Sequence, residues 1–192
     1  MNMKKIISFF IVACCAMCAT AAKVVWQIGV ADNSGTELAL GPSEYKKFLA
    51  HDFGYEDRYF LVGTSVDKND FPYVLPGPDD TWGGTWSTSG WRTHDANILF
   101  GIKKLPKHGK WKLVVDLVDA NPSRSVVKVM VNSAEKKFEI KGHSKGVLEG
   151  NLQDAKEQIL EFPISADDLK KGGNMVTVSV LEGGWIVFDQ IR

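Results

Sequence analysis

Val126-Val127-Lys128-Val129-Met130-Val131-Asn132-Ser133-Ala134-Glu135-Lys136-Lys137-Phe138-Glu139-Ile140-Lys141 is the stretch that decides the fold. Val127, Val129 and Val131 recur at every second position, so an extended chain puts them on one face. Phe138 and Ile140 do the same on the far side of Asn132-Ser133-Ala134. Two alternating runs across a short polar turn predict a β-hairpin with one buried and one solvated face.

The same pattern spreads outward from this hairpin. Upstream, Ile98, Phe100 and Ile102 stay in phase within 97–103. Trp111, Leu113, Val115 and Leu117 stay in phase within 110–119. Downstream, 158–164 reads as a strand, Val176, Val178 and Val180 share a face within 175–181, and 185–191 closes the series after the tight turn Glu182-Gly183-Gly184. Near the start, 24–29 and 58–63 are β-branched and aromatic enough to be strands. Ser43 is placed to cap a short helix running to about Ala50, and Ser165 to Asn174 reads as one helical turn with a Gly stop. Many short alternating strands with turns between them predict an all-β chain. The expected architecture is an antiparallel β-sandwich or jelly roll with one or two short helices.

One segment does not alternate. Tyr73 to Arg92 holds Trp82, Trp86 and Trp91, three of the six tryptophans, together with two prolines and four glycines. Gly and Pro at that density predict one long loop. Loops this long in compact domains are usually functional or disordered, and disordered segments are poor in aromatics. Sugar rings offer C–H faces that stack on aromatic rings, while their hydroxyls need carboxylates, amides or Arg. Trp82, Trp86 and Trp91 with Asp79, Asp80 and Arg92 supply both kinds of partner, and His94 follows where loop becomes strand. The plainer reading is that some of these tryptophans pin the loop to the sandwich.

Length and charge bound the remaining possibilities. The 192 residues suit one domain, expected over 23–192, and the formal net charge of zero gives no footprint for nucleic acid or an anionic membrane. Residues 1–22 read as a secretory signal peptide: Lys4 and Lys5, an apolar run, then small residues around Ala19-Thr20-Ala21. No stretch predicts a transmembrane span. All three cysteines, Cys14, Cys15 and Cys18, lie in that leader. Two readings apply to Cys14, apolar filler in a cleaved peptide or the lipidated residue of a lipoprotein box. Secretion to the exterior or periplasm follows from the first, a lipid anchor at the cell surface from the second.

Signs of catalysis are weak. The chain has no nucleophile elbow, HExxH or phosphate loop, and Asp79-Asp80 are too close to flank a glycosidic bond. Asp189 carries more information. It is in phase with Trp185, Val187 and Ile191, so a core-facing side would bury it, and a buried carboxylate needs donors or a cation. A structural calcium held by Asp189 and Asp32, with Asn33 or Glu37 as companions, would meet that need. Backbone N–H donors to an edge aspartate would also meet it. No other cofactor is expected.

The opening Val25-Trp26-Gln27-Ile28-Gly29, Asp32 and the closing Trp185-Ile186-Val187-Phe188-Asp189-Gln190-Ile191-Arg192 resemble the C-terminal β-sandwich of rhamnogalacturonan lyases, within the polysaccharide lyase class. The closing pattern is also similar to many carbohydrate-binding modules. The resemblance implies a galactose-binding-like jelly roll that binds pectin-type or other plant polysaccharide beside a catalytic domain. In those lyases the catalytic residues lie in a separate domain that nothing here matches, so lyase activity is not implied for this chain. Three readings follow: a secreted non-catalytic carbohydrate-binding module, a fragment or small form of a lyase or hydrolase, or a cell-surface protein-interaction module. Glycan binding separates the first from the third. Sugar release separates the second from both.

Overall fold

The computed structural model describes residues 23–48, 57–80, 93–105 and 110–192. The predicted leader, Cys14, Trp82, Trp86, Trp91 and Arg92 lie outside them.

Among the described residues, ten strands form two sheets. The first contains β1 (Ile28–Gly29), β3 (Val74–Pro76), β5 (Trp111–Ala120), β8 (Gln158–Ile164) and β10 (Trp185–Ile191). The order is β1-β10-β5-β8, with β3 also paired to β10. Because β5 holds one edge of β10 from Ile186 to Ile191, β1 and β3 lie end to end along the other edge. The second sheet contains β2 (Arg58–Leu61), β4 (Asp95–Ile102), β6 (Arg124–Val131), β7 (Ala134–Lys141) and β9 (Gly172–Glu182), in the order β2-β4-β9-β6-β7. Among the described residues all pairings between these strands are antiparallel except β2 with β4, an edge pair reached through the intervening helix α2 (Asp67–Asp70) and β3.

The predicted phases set the core. Ile98, Phe100 and Ile102 meet Val127, Val129, Val131, Val176, Val178 and Val180 from the second sheet, and Leu113, Val115 and Leu117 face them from the first. Burying one such side chain stabilises the fold by about 1.5–3 kcal/mol relative to leaving it in water. A run of edge-on aromatic contacts ties the layers together: Phe60 of β2 lies 5.8 Å from Phe71, and Phe71 lies 5.2 Å from Phe188 of β10. The other α-helix among the described residues, α1 (Tyr45–Phe48), follows a 3-10 turn at Pro42–Glu44 and buries Phe48 against Tyr73.

Three expectations need correction. The segment 73–92 is not loop from its start, because Val74-Leu75-Pro76 is a buried strand paired with Val187, Ile186 and Trp185. A short apolar run buried on both faces has no alternation, and a proline suits the end of a strand on a sheet edge. The opening strand is limited to Ile28–Gly29, since only those residues reach the rim of β10, and Val24 and Val25 are exposed. The predicted polar loop at 142–150 contains a 3-10 turn, Lys145–Glu149, capped by Ser144 and anchored by buried Val147.

Candidate functional site

β10 is buried along its whole length, and its pairing with β5 shifts register at Val187/Phe188 and again at Phe188/Gln190. A bulge of this kind re-aims a side chain. Asp189 stands at the second shift and is 1% exposed. The loop after β1 folds across it. Gly35 comes so close to β10 that a Cβ there would lie 2.5 Å from the Phe188 carbonyl oxygen. Gly29 packs against the Asp189 carbonyl in the same way, and both glycines have positive φ, so no other residue suits either place.

This loop gathers carboxylates. One oxygen each of Asp32, Glu37 and Asp189 lie within 4.8 Å of one another. The Ser34 N–H donates to both Asp189 Oδ1 and Asp32 Oδ1 at 3.1 Å, and the Val30 N–H donates to Glu37 Oε1 at 2.6 Å. Burial raises the Asp189 carboxyl above its ordinary value. Backbone N–H donors from Ser34, Asp32 and Asn33 oppose the rise, and the Asp32 charge adds to it. Asn33 sits at φ 60°, and its side-chain Oδ1 is buried without a hydrogen-bond partner among the described residues. Three carboxylates and an unpaired amide oxygen are the hard oxygen donors that calcium takes.

The other candidates stand at the opposite end of β10. Asp79 is exposed and its N–H donates to the Gly183 carbonyl at 3.0 Å. Asp80 is 4% exposed, with its N–H on the Gly77 carbonyl at 3.1 Å. His94 is 1% exposed, with Nδ1 3.7 Å from Asp57 Oδ1, which also accepts the Asp95 N–H at 3.0 Å. Gly77 abuts Val180 of β9, one residue from Ser179, whose hydroxyl bonds Asp95 at 2.5 Å. Both feet of the 81–92 segment therefore reach one end of the sandwich. Trp185 at that end is four residues from Asp189, about 13 Å along the strand.

Two further buried carboxylates lie on β5. Asp119 is fully buried and holds the 142–145 turn: Oδ1 accepts from the Ala120 and His143 N–H groups at 2.8 and 2.9 Å, and Oδ2 from the Ser144 N–H at 3.0 Å. No pattern marked this role, because two of the three partners are backbone groups 24 and 25 residues away. Asp116 is pushed up to about 6, first by burial and then by the Glu157 and Asp189 charges, against the pull of Arg192 and a Leu117 backbone bond. Asp57 was not legible either, since its partner His94 is remote in sequence.

The described residues form a two-sheet β-sandwich whose closing strand lies against a loop carrying Asp32 and Glu37. Residues 24–192 match the family described as "CBM-like: Polysaccharide lyase family 4, domain III", and the chain belongs to it. No curated protein matches the sequence. Similar solved structures include a family 35 carbohydrate-binding module from an environmental isolate, 14% identical with a TM-score of 0.35 over 52% of this chain and 64% of that one. CBM35 from Cellvibrio japonicus Abf62 is 13% identical with a TM-score of 0.32, over 50% of this chain and 62% of that one. A family 35 module from Clostridium thermocellum is 14% identical with a TM-score of 0.31, over 50% of this chain and 68% of that one. No described helix is long and apolar enough to cross a membrane.

Proposed function

We propose that residues 23–192 form a secreted, non-catalytic domain that binds pectin-type polysaccharide, rhamnogalacturonan in particular, and works beside the catalytic domain of a polysaccharide lyase. The family match over 24–192 carries this reading. Trp82, Trp86 and Trp91 stack on sugar rings, and Asp79 and Arg92 take the hydroxyls. Asp80 and His94, buried at the feet of the segment, complete the site. Asp32, Glu37 and Asp189, with Asn33 Oδ1, hold a structural calcium that fixes the 30–37 loop on β10.

Calorimetric titration with rhamnogalacturonan and homogalacturonan oligosaccharides tests the reading. Saturable heat is expected, with rhamnogalacturonan the tighter ligand, and Trp86→Ala or Trp91→Ala should lower affinity at least tenfold without unfolding the domain. Unchanged affinity in both variants would remove the loop from the site. Release of sugar by the chain alone would contradict the non-catalytic reading.

A further inference from the structure

At the end of the sandwich where Ile102 and Trp111 lie, a cavity of about 320 Å³ opens between the sheets. It is far from the loop feet, since β5 runs about 30 Å from Trp111 to Ala120. Its walls are apolar. Trp26, tilted over Phe100 with ring centroids 5.3 Å apart, and Trp111 supply the aromatic surface. Ile102, Val131, Ile164, Leu169 and Val176 supply the aliphatic surface.

The charged side chains of the lining have one sign. Lys23, Lys110, Lys112 and Arg192 line the cavity, and among the described residues no Asp or Glu does. Lys112 is paired with Glu161, and Arg192 faces Asp116, but Lys23 and Lys110 have no ion-pair partner among the described residues. The volume lies at the low end of the range of small-molecule sites, about 300–1,000 Å³. It equals about ten waters of the liquid, and water between apolar walls makes few hydrogen bonds, so an apolar body displaces it readily. A sugar is a poor occupant. Each hydroxyl buried here without a partner would weaken binding by about tenfold.

We propose that this cavity binds a soluble carboxylate carrying an aliphatic chain, with the chain between the sheets and the carboxylate on Lys23 and Lys110 at the mouth. The site is separate from the glycan loop and does not depend on it.

Decanoate is the probe and decanol its uncharged counterpart. Titration of the chain, followed by calorimetry and tryptophan fluorescence, should give saturable binding of decanoate and at least tenfold weaker binding of decanol. Lys110→Gln should weaken decanoate several-fold. Val25→Trp, at an exposed position on the cavity wall, should fill the mouth and weaken decanoate at least tenfold without shifting the thermal unfolding midpoint. Absence of saturable decanoate binding to the native chain would overturn the proposal. Equal affinity for decanol would overturn the role of the cations, and undiminished affinity in Val25→Trp would put the site elsewhere.

Discussion

The two sheets bury polar groups of different kinds. In β4, β6 and β9 the buried polar residues are neutral: Asn97, Ser125, Asn174, Thr177 and Ser179. Several are satisfied locally, as where the Thr177 hydroxyl donates to Asn97 Oδ1 at 2.7 Å and the Asn174 amide donates to the Lys170 and Gly172 carbonyls. In β5 and β10 the buried polar residues are Asp116, Asp119, Asp189 and Gln190. A neutral group costs little once it has one partner, whereas a buried carboxylate needs several donors, a cation or a proton. Asp119 has its donors, Asp116 tends toward a proton, and Asp189 shares its pocket with two more carboxylates. One sheet is scaffold. The other buries carboxylates, Asp116, Asp119 and Asp189.

The largest expected effect breaks the contact the two sheets share. Phe188→Ala should cost about 3–5 kcal/mol in chemical denaturation, because Phe188 is fully buried and closes the aromatic run from β2 to β10. Ile98→Ala on the scaffold sheet should fall within about 2–5 kcal/mol and leave calcium affinity intact.

A smaller effect sharpens the comparison through pH. A carboxyl whose folded pKa lies above its unfolded value binds its proton better when folded. Stability therefore falls as pH rises from the ordinary Asp value of about 4 to the folded value of about 6 given by Asp116. The groups facing it are Glu157, Asp189 and Arg192. In chelator, Asp116→Asn should remove about 1–2 kcal/mol of that decline and leave the variant more stable than the native chain at pH 7, solvent screening trimming the full value. Equal pH profiles for the two proteins would contradict it.

The smallest effect lies on the scaffold. Thr177→Val removes one buried neutral hydrogen bond to Asn97 and should cost about 1 kcal/mol with no pH dependence. A pH-dependent loss there would erase the distinction between the sheets.

The scaffold sheet was legible in the sequence because its strands bury one face. Val127, Val129 and Val131 alternate with Lys128 and Met130, and period two follows directly. The first sheet was less legible. Val74-Leu75-Pro76 and Ile186 to Ile191 are buried on both faces, so periodicity vanished and β3 passed for loop. Asp189 was found through its phase with Trp185 and Val187, although the register shift beside it means that phase alone does not place it. Asp32 and Glu37 were legible as oxygen donors near the first strand. Their meeting with a residue more than 150 positions away depends on β1 pairing with β10, which no local pattern encodes.

Thermal unfolding in calcium and in chelator, for the native chain and for Asp189→Asn, tests the central claim that the closing strand holds a cation. Calcium at about a hundred times its dissociation constant should stabilise the native fold by about 2.7 kcal/mol, raise the midpoint accordingly, and leave Asp189→Asn nearly unmoved. A native midpoint indifferent to calcium, or an Asp189→Asn variant that responds as the native chain does, would contradict it.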